Sequence, residues 1–332
     1  MIKNKVVLVT GCAGFIGFSL CQKLLKNGYK VIGIDNLNNY YTVKLKRDRL
    51  KNLINKNFKF YRSDINNLNK LDKIFKQYLP KYVVNLAAQA GVRYSIENPK
   101  AYLKSNIDGF LNILNLSVKY KIKHLTYASS SSVYGANNDF PFSVDKVADH
   151  PLAIYAVTKR TNELMAHSYS NLYKLPTTGL RYFTVYGPWG RPDMALYKFT
   201  RLISKNKTLP LFNSGNHVRD FTYIDDVVEI TKRAVFKIPK KNKLSNSTSI
   251  VPWEIYNVCG SKPTKLKNFV NEIFKNLKKK AKIKNLELQA GDVIKTHGCN
   301  KKTIKNLKFV PKINYKKGIK HFINWYKGYY KI

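Results

Sequence analysis

Two side chains one helical turn apart can supply a base. In the run AIYAVTKRTNELMAHSYSNLY the spacing is helical, so Tyr155 and Lys159 fall on one face, a turn apart. A free tyrosine ionises near pH 10, and a neighbouring ammonium favours the phenolate, each unit of depression corresponding to about 1.4 kcal/mol. Tyr155 is therefore expected to accept protons near neutral pH. The same spacing recurs at Tyr40 and Lys44, but in NNYYTVK, just beyond the second strand-like run. Tyr155 instead opens a helix after SSSSVYG (129–135), where four hydroxyls and no acid follow a strand end. Such hydroxyls can cap the backbone of the next turn, or face a ligand.

A base needs a site, and the N-terminal segment KVVLVTGCAGFIGFSLCQKLLKNGYKVIGID provides one. It reads as strand, glycine turn, amphipathic helix, strand, with Gly11, Gly14 and Gly17 between the first strand and the helix. In that context the motif means dinucleotide binding, because small residues let the backbone approach a pyrophosphate held by helix-terminal N–H groups. Asp35 closes the second strand, placed to accept hydrogen bonds from the adenosine ribose. A carboxylate there disfavours a 2′-phosphate, so NAD is expected over NADP. The positive nicotinamide ring would add to the pull on the Tyr155 proton.

Further strand-like runs follow at 58–64, 82–88, 124–130 and 177–183, with helical stretches between them. Such alternation predicts an α/β fold, a Rossmann-type doubly wound parallel sheet. Asp64 and the small pair Ala87–Ala88 stand at strand ends, on the edge where a dinucleotide lies. Cofactor contact is assigned to Gly11, Gly14, Phe15, Ile16, Gly17, Asp35, Asn36, Asp64, Ile65, Ala87, Ala88, Tyr155 and Lys159. After Phe183 the pattern shifts to loops and shorter elements. The expected division is a dinucleotide-binding domain over 1–183 and a smaller C-terminal α/β substrate domain over 184–332, with 219–258 returning in part to the first.

Composition excludes several classes. The 332 residues are 44% hydrophobic, which fits a globular protein with a real core. No run of about 18 apolar residues occurs, and the chain starts without a signal-peptide pattern, so a cytoplasmic protein with no transmembrane segment is expected. Cys12, Cys21, Cys259 and Cys299 lack disulfide or zinc-ligand spacing, and reduced thiols with no metal are expected. The formal charge is +41, from 60 Lys plus Arg against 19 Asp plus Glu. It is spread from Lys3 to Lys331 with abundant Asn and Ile, which reads as a compositional drift over the surface and implies no nucleic-acid partner. A basic field would still steer a polyanionic substrate inward. The histidines offer no rival mechanism, since none accompanies a nucleophile motif such as GxSxG.

The chain resembles the extended short-chain dehydrogenase/reductase family, and within it the NAD-dependent nucleotide-sugar epimerases. The resemblance covers essentially the whole length and rests on TGCAGFIG, AAQAGVRYSIENP (87–99), ASSSSVYG, YAVTK, RYFTVYGPWGRPDMA (181–195) and RDFTYIDD (219–226). These blocks look most like the members that interconvert UDP-glucuronate and UDP-galacturonate. The resemblance implies a UDP-sugar substrate, a homodimer formed through two helices per subunit, and a 4-keto sugar intermediate with hydride passing to and from bound NAD. It also implies that Ser130 works with Tyr155. Relatives that dehydrate the sugar carry Asp-Glu in the next two positions and decarboxylases keep a Glu in the second, where this chain has Ser131 and Ser132. Galactose-type epimerases carry Asn at the position of Thr184. The same resemblance assigns Ser131, Ser132 and Thr184 to a sugar carboxylate, and Arg191 and Arg219 to the UDP phosphates or ribose. It places Arg93 near the sugar, Phe212 against uracil and Asp292 on the ribose, while Gln289 stands where some relatives have Arg. The alternatives are a 4-epimerase of UDP-glucose or UDP-N-acetylglucosamine, or a non-catalytic NAD-sensing or nucleic-acid-associated protein.

Overall fold

The computed structural model describes residues 6–288 and 293–332. Seven strands build the main sheet: β1 (Val6–Thr10), β2 (Lys30–Asp35), β3 (Phe58–Arg62), β4 (Tyr82–Asn85), β5 (His124–Ser130), β6 (Thr177–Tyr182) and, after four short strands, β11 (Trp253–Val258). Their order is β11-β6-β5-β4-β1-β2-β3, and every neighbouring pair is parallel. The order reverses between β1 and β4, which opens a crevice at the carboxyl edge there. Both faces of the sheet are covered, and β1, β2, β4 and β6 are buried almost throughout. Val7, Val9 and Val31 point into one core, while Leu8, Ile32 and Ile34 point into the other.

The helices that cover the sheet are α1 (Phe15–Lys26), α2 (Val43–Lys51), α3 (Leu68–Tyr78), the short α4 (Tyr94–Glu97) and α5 (Pro99–Tyr102), α6 (Gly109–Lys119) and α7 (Ile154–Tyr173). The remainder comprises α8 (Ala195–Ser204), α9 (Ile224–Phe236), α10 (Leu266–Leu277), α11 (Lys301–Leu307) and α12 (Tyr315–Tyr330). Helix α9 returns to the sheet and packs on α1, and β11 runs beside β6 in register from Trp253↔Thr177 to Val258↔Tyr182. The four short strands lie over the carboxyl edge: β7 (Thr184–Tyr186) pairs with β10 (Phe221–Tyr223), and β8 (Leu209–Phe212) and β9 (Val218–Arg219) pair with β13 (Ile283–Leu286) and β12 (Thr264–Lys265). A π-helical turn at Leu103–Asp108 precedes α6.

A buried ion pair fixes the crossing of α7 on the sheet. Glu163 is fully buried and accepts from Arg181 Nε (2.8 Å) and Nη2 (2.9 Å), from Ser129 Oγ (2.6 Å) and from Arg160 Nη1 (3.0 Å). Burial by itself would raise this carboxyl; Arg181 and the Ser129 hydroxyl hold it below its ordinary range. Removing one partner strands a charge in the core, at a cost of roughly 3–5 kcal/mol. Arg181→Met is accordingly expected to lose about that much stability in urea denaturation, whereas Arg181→Met combined with Glu163→Leu loses substantially less.

Candidate active site

The carboxyl edge of the sheet opens into a cavity of about 420 Å³. At one end the glycine loop forms its floor. Gly11 has a left-handed φ of +71°, and a Cβ there would lie 2.7 Å from Ala87 N; a Cβ on Gly17 would lie 2.1 Å from Gly11 O. Glycine is therefore sterically required at both positions. Gly14 caps α1 without a side-chain bond, so the first-turn N–H groups stay open to an anion. Asp35 accepts from Ala13 N (3.1 Å) and Leu37 N (2.8 Å) and faces the cavity. Phe15, Ile16, Asn36, Ile65, Ala87 and Ala88 line the same end. Asp64 stands one layer back. It accepts from Asn36 Nδ2 at 2.7 Å and from the Asn66 backbone at 2.8 Å, and these bonds outweigh its burial and hold the carboxyl below its usual range. The cradle, the open helix terminus and the strand-end acid together fit a dinucleotide.

In the cavity, the first two turns of α7 bring Tyr155 and Lys159 against the end of β5. Ser130 lies beside Tyr155, its hydroxyl donating to Ser132 Oγ at 3.2 Å. Lys159 donates to Ala128 O at 2.9 Å. The expected effect of the ammonium on the phenol is corrected here. Burial pushes the Tyr155 phenol up, opposed by the neighbouring Ser130 hydroxyl and the Arg191 charge, while Lys159 points at a backbone carbonyl and is itself pushed down to about 8 by burial. In the polypeptide alone, desolvation outweighs the nearby cations. The pair at Tyr40 and Lys44 is not a second base: Lys44 is engaged with Asp48 at 2.7 Å.

Ser131, Ser132, Thr184, Arg191 and Arg219 line the same cavity. Ser130–Ser132 begin a 3-10 turn, with Ser132 N donating to Ser130 Oγ at 3.2 Å, and its last residue precedes Gly135, whose position beside His150 O has no room for a Cβ. Arg191 forms a two-pronged pair with Asp193 and lies 5.9 Å from the Tyr40 ring. Arg219 Nη1 donates to Val218 O and Ile294 O. Behind it, Asp220 is fully buried, accepting from Gly260 N and Gly298 N at 3.0 Å each, and burial pushes its carboxyl up to about 6. Arg93 stacks on the Phe212 ring at 5.0 Å, and neither lines the cavity. Asp292 and Gln289 lie outside the described residues.

Lys46, Tyr40, Gln89, Met194 and Thr296 also line the cavity without having been assigned to it; Lys46 is one of 60 basic residues and Tyr40 one of 23 tyrosines, while Gln89 and Met194 fall within the blocks that carry the family resemblance. Lys46 donates to Asn38 O and Oδ1, and burial lowers its pKa against the pull of Asp35. Asn106, in the π-helical turn, ties the Gln89 backbone to Thr158 on α7, and its own carbonyl accepts from Asn162 at 2.6 Å. Single π-turns recur within helices at functional sites.

Comparison with known proteins agrees with this geometry. Residues 7–286 match the NAD dependent epimerase/dehydratase family. The chain is 50% identical over 331 residues to Protein CapI of Staphylococcus aureus, covering 98% of this chain and 99% of that one. It is 41% identical over 332 residues to the probable UDP-glucuronate 4-epimerase of Rhizobium meliloti (strain 1021), covering 98% and 97%. The crystal structure of UDP-glucuronic acid 4-epimerase from Bacillus cereus, in complex with UDP-glucuronic acid and NAD, superposes with a TM-score of 0.89 at 33% identity, covering 98% of this chain and 100% of that one.

Two outcomes test the site. Gly17→Val is expected to weaken NAD binding at least tenfold in calorimetric titration while the fold survives by circular dichroism, since the new Cβ meets backbone at 2.1 Å. Lys159 ionises near 8 in the folded protein against 10.5 in the open chain, so the unfolded state binds the extra proton between those values. Burying the ammonium therefore costs stability below about pH 8, and the cost fades as pH rises to 10.5. Lys159→Met should abolish turnover yet gain up to roughly 3 kcal/mol at pH 7, less about 1 kcal/mol for the lost Ala128 bond, with the gain vanishing by pH 10.5 in urea titrations.

Proposed function

The chain belongs to the NAD dependent epimerase/dehydratase family and is an NAD-dependent 4-epimerase of UDP-sugars; from that premise we propose that it interconverts UDP-glucuronate and UDP-galacturonate. The observation that carries this reading is the hydroxyl wall of Ser131, Ser132 and Thr184, in the same cavity as Tyr155 and Lys159 and with no acid at either serine position. Oxidation at C4 of a uronate creates a β-keto acid, which loses CO2 if its carboxylate swings out of the ring plane. Hydroxyls can hold that carboxylate by hydrogen bonds without adding the acid or base that would divert the ketone. A relative 41% identical bears the name of this activity, which supports the uronate reading.

In this reading Tyr155 takes the C4 hydroxyl proton, directly or through Ser130, and later returns it. Lys159 holds the cofactor ribose and, once the phenol ionises, stabilises the phenolate. Bound NAD supplies the hydride acceptor and donor at C4. Gly11, Gly14, Gly17 and Asp35 would hold that cofactor, with Phe15, Ile16, Asn36, Asp64, Ile65, Ala87 and Ala88 around it. Arg191 and Arg219 supply positive charge suited to the diphosphate, with the Arg191 fork held in place by Asp193. Asp292 is assigned to the substrate ribose, whereas Arg93 and Phe212, stacked on each other outside the cavity lining, are left without a direct ligand contact.

We further infer a homodimer through α6 and α7, from the large apolar side chains they leave exposed. Leu164 is 56% exposed and Val157 39% exposed on α7, and Leu111 is 38% exposed on α6. Leu164→Glu is expected to shift the sedimentation coefficient from dimer to monomer. Among the described residues no helix is long and apolar enough to cross a membrane.

The direct test is incubation of purified protein with UDP-glucuronate, followed by proton NMR. UDP-galacturonate without UDP-pentose and without net NADH is expected; turnover of UDP-glucose or UDP-N-acetylglucosamine alone would keep the chemistry and overturn the carboxylate assignment. Tyr155→Phe should lower turnover by roughly 10²–10⁴-fold while NAD remains bound. Thr184→Val should release measurable CO2 from UDP-glucuronate.

A further inference from the structure

Arg49, on α2, is fully buried, yet among the described residues no carboxylate pairs with it. Its guanidinium is held by neutral oxygens. Nη1 donates to Ala13 O at 2.9 Å and to Tyr41 Oη at 2.7 Å; Nη2 donates to Trp189 O at 2.6 Å and lies 3.3 Å from Gly190 O; Nε has no acceptor. The neighbouring acid, Asp48, is turned away to Lys44 and to Tyr329 Oη. A cation withdrawn from water without a counter-charge is costly, and natural structures keep one only where something compensates it.

The acceptors show what the charge is near. Ala13 belongs to the Gly11–Gly17 loop, between two glycines of the cradle. Trp189 and Gly190 immediately precede Arg191, in a segment held by the left-handed backbone of Trp189 (φ +62°) and its edge contact with Phe18 at 5.4 Å. One side chain therefore joins the glycine loop to the segment that leads into Arg191. The acid tied to the same loop is Asp35, whose oxygens are taken by Ala13 N and Leu37 N. Lys46 also lines this end, donating to Asn38, while Asp64 is taken up by Asn36 and Asn66, so neither carboxylate of this end pairs with Arg49. The guanidinium of Arg49, held by neutral oxygens, sits behind the loop that would carry a diphosphate.

We propose that Arg49 is a positioning residue for the cofactor: it pins the glycine loop to the 189–190 segment, and its buried charge acts through that loop on the dinucleotide's diphosphate. This rests on the reading that the Gly11–Gly17 loop takes NAD. The neutral oxygens fix where the guanidinium sits and leave its charge uncancelled, and the diphosphate is the ligand group that cancels it. Binding should accordingly depend on Arg49 for ligands that carry the diphosphate and not for adenosine, which lacks it.

The test compares protein stripped of cofactor as wild type, Arg49→Met and Arg49→Lys, titrated with NAD by calorimetry and with adenosine by NMR shifts. The expected result is at least a tenfold loss of NAD affinity in Arg49→Met, a loss under threefold in Arg49→Lys, and adenosine affinity within twofold throughout. Unchanged NAD affinity in Arg49→Met overturns the proposal. So does a parallel loss of NAD and adenosine in both variants, including loss through misfolding of Arg49→Met, because the loop shape alone would then be at stake. Failure of the underlying reading shows separately, as NAD binding that survives Gly17→Val in a chain with Arg49 intact.

Discussion

Everything at the reaction centre depends on where α7 crosses the carboxyl end of β5. Tyr155, Lys159 and Glu163 are spaced at one turn each along the helix, and each addresses the same strand: Tyr155 meets Ser130, Lys159 meets Ala128 O, and Glu163 meets Ser129. The deepest of these contacts is reinforced by Arg181 on β6, so a buried ion pair holds helix and sheet together. Such a pair adds little net stability compared with apolar packing, but it tolerates only one register. A slip of the helix by one residue would strand Glu163 and carry the phenol away from Ser130. The π-helical turn adds a second constraint from the other side, since Asn106 bonds both Gln89 in the cavity wall and Thr158 on α7.

The second theme is the concentration of cations with few acids. Lys46, Lys159, Arg191 and Arg219 line the cavity, and Arg49 lies directly behind it. Burial lowers the pKa of Lys46 and Lys159, which means that the protein holds these charges against desolvation. A substrate and a cofactor that each carry a diphosphate offset that cost when they bind. Even Tyr155, which burial holds protonated in the polypeptide alone, stands where added positive charge would draw its proton away. The overall charge of +41 supplies a long-range field of the same sign, but screening confines its effect to about 8 Å at physiological salt. Local placement, not the total, sets the chemistry.

Legibility in the sequence followed the range of each interaction. The first six strands announce themselves as apolar runs bounded by turns, though β3 and β4 stop at Arg62 and Asn85, short of the runs that predicted them. The seventh, β11, did not stand out. Its run WEIYNV carries Glu254 and Asn257, which are buried but satisfied by distant partners: Lys302 and Asn306 for the acid, and Tyr134, Phe142 O and Cys299 O for the amide. A polar residue whose partner lies tens of residues away in sequence reads as a break in the pattern. Arg93 and Phe212 illustrate the same limit, because each was assigned a ligand and the fold stacks them on each other.

What the order of residues determined by itself was the set of local devices. The glycine spacing at 11, 14 and 17, the acid at the end of β2, the hydroxyl run 129–132 and the one-turn spacing of Tyr155 and Lys159 all act within a few residues, so their geometry follows from backbone periodicity and the missing Cβ of glycine. Only the tertiary structure decided which of many arginines face the cavity, which one stands buried behind it, and which cation influences the phenol. Arg49 and Trp189 are 140 residues apart, and the desolvation that shifts Tyr155 and Lys159 is a property of everything packed around them. Side-chain charge is written in the sequence, but its energy depends on how much water the fold removes.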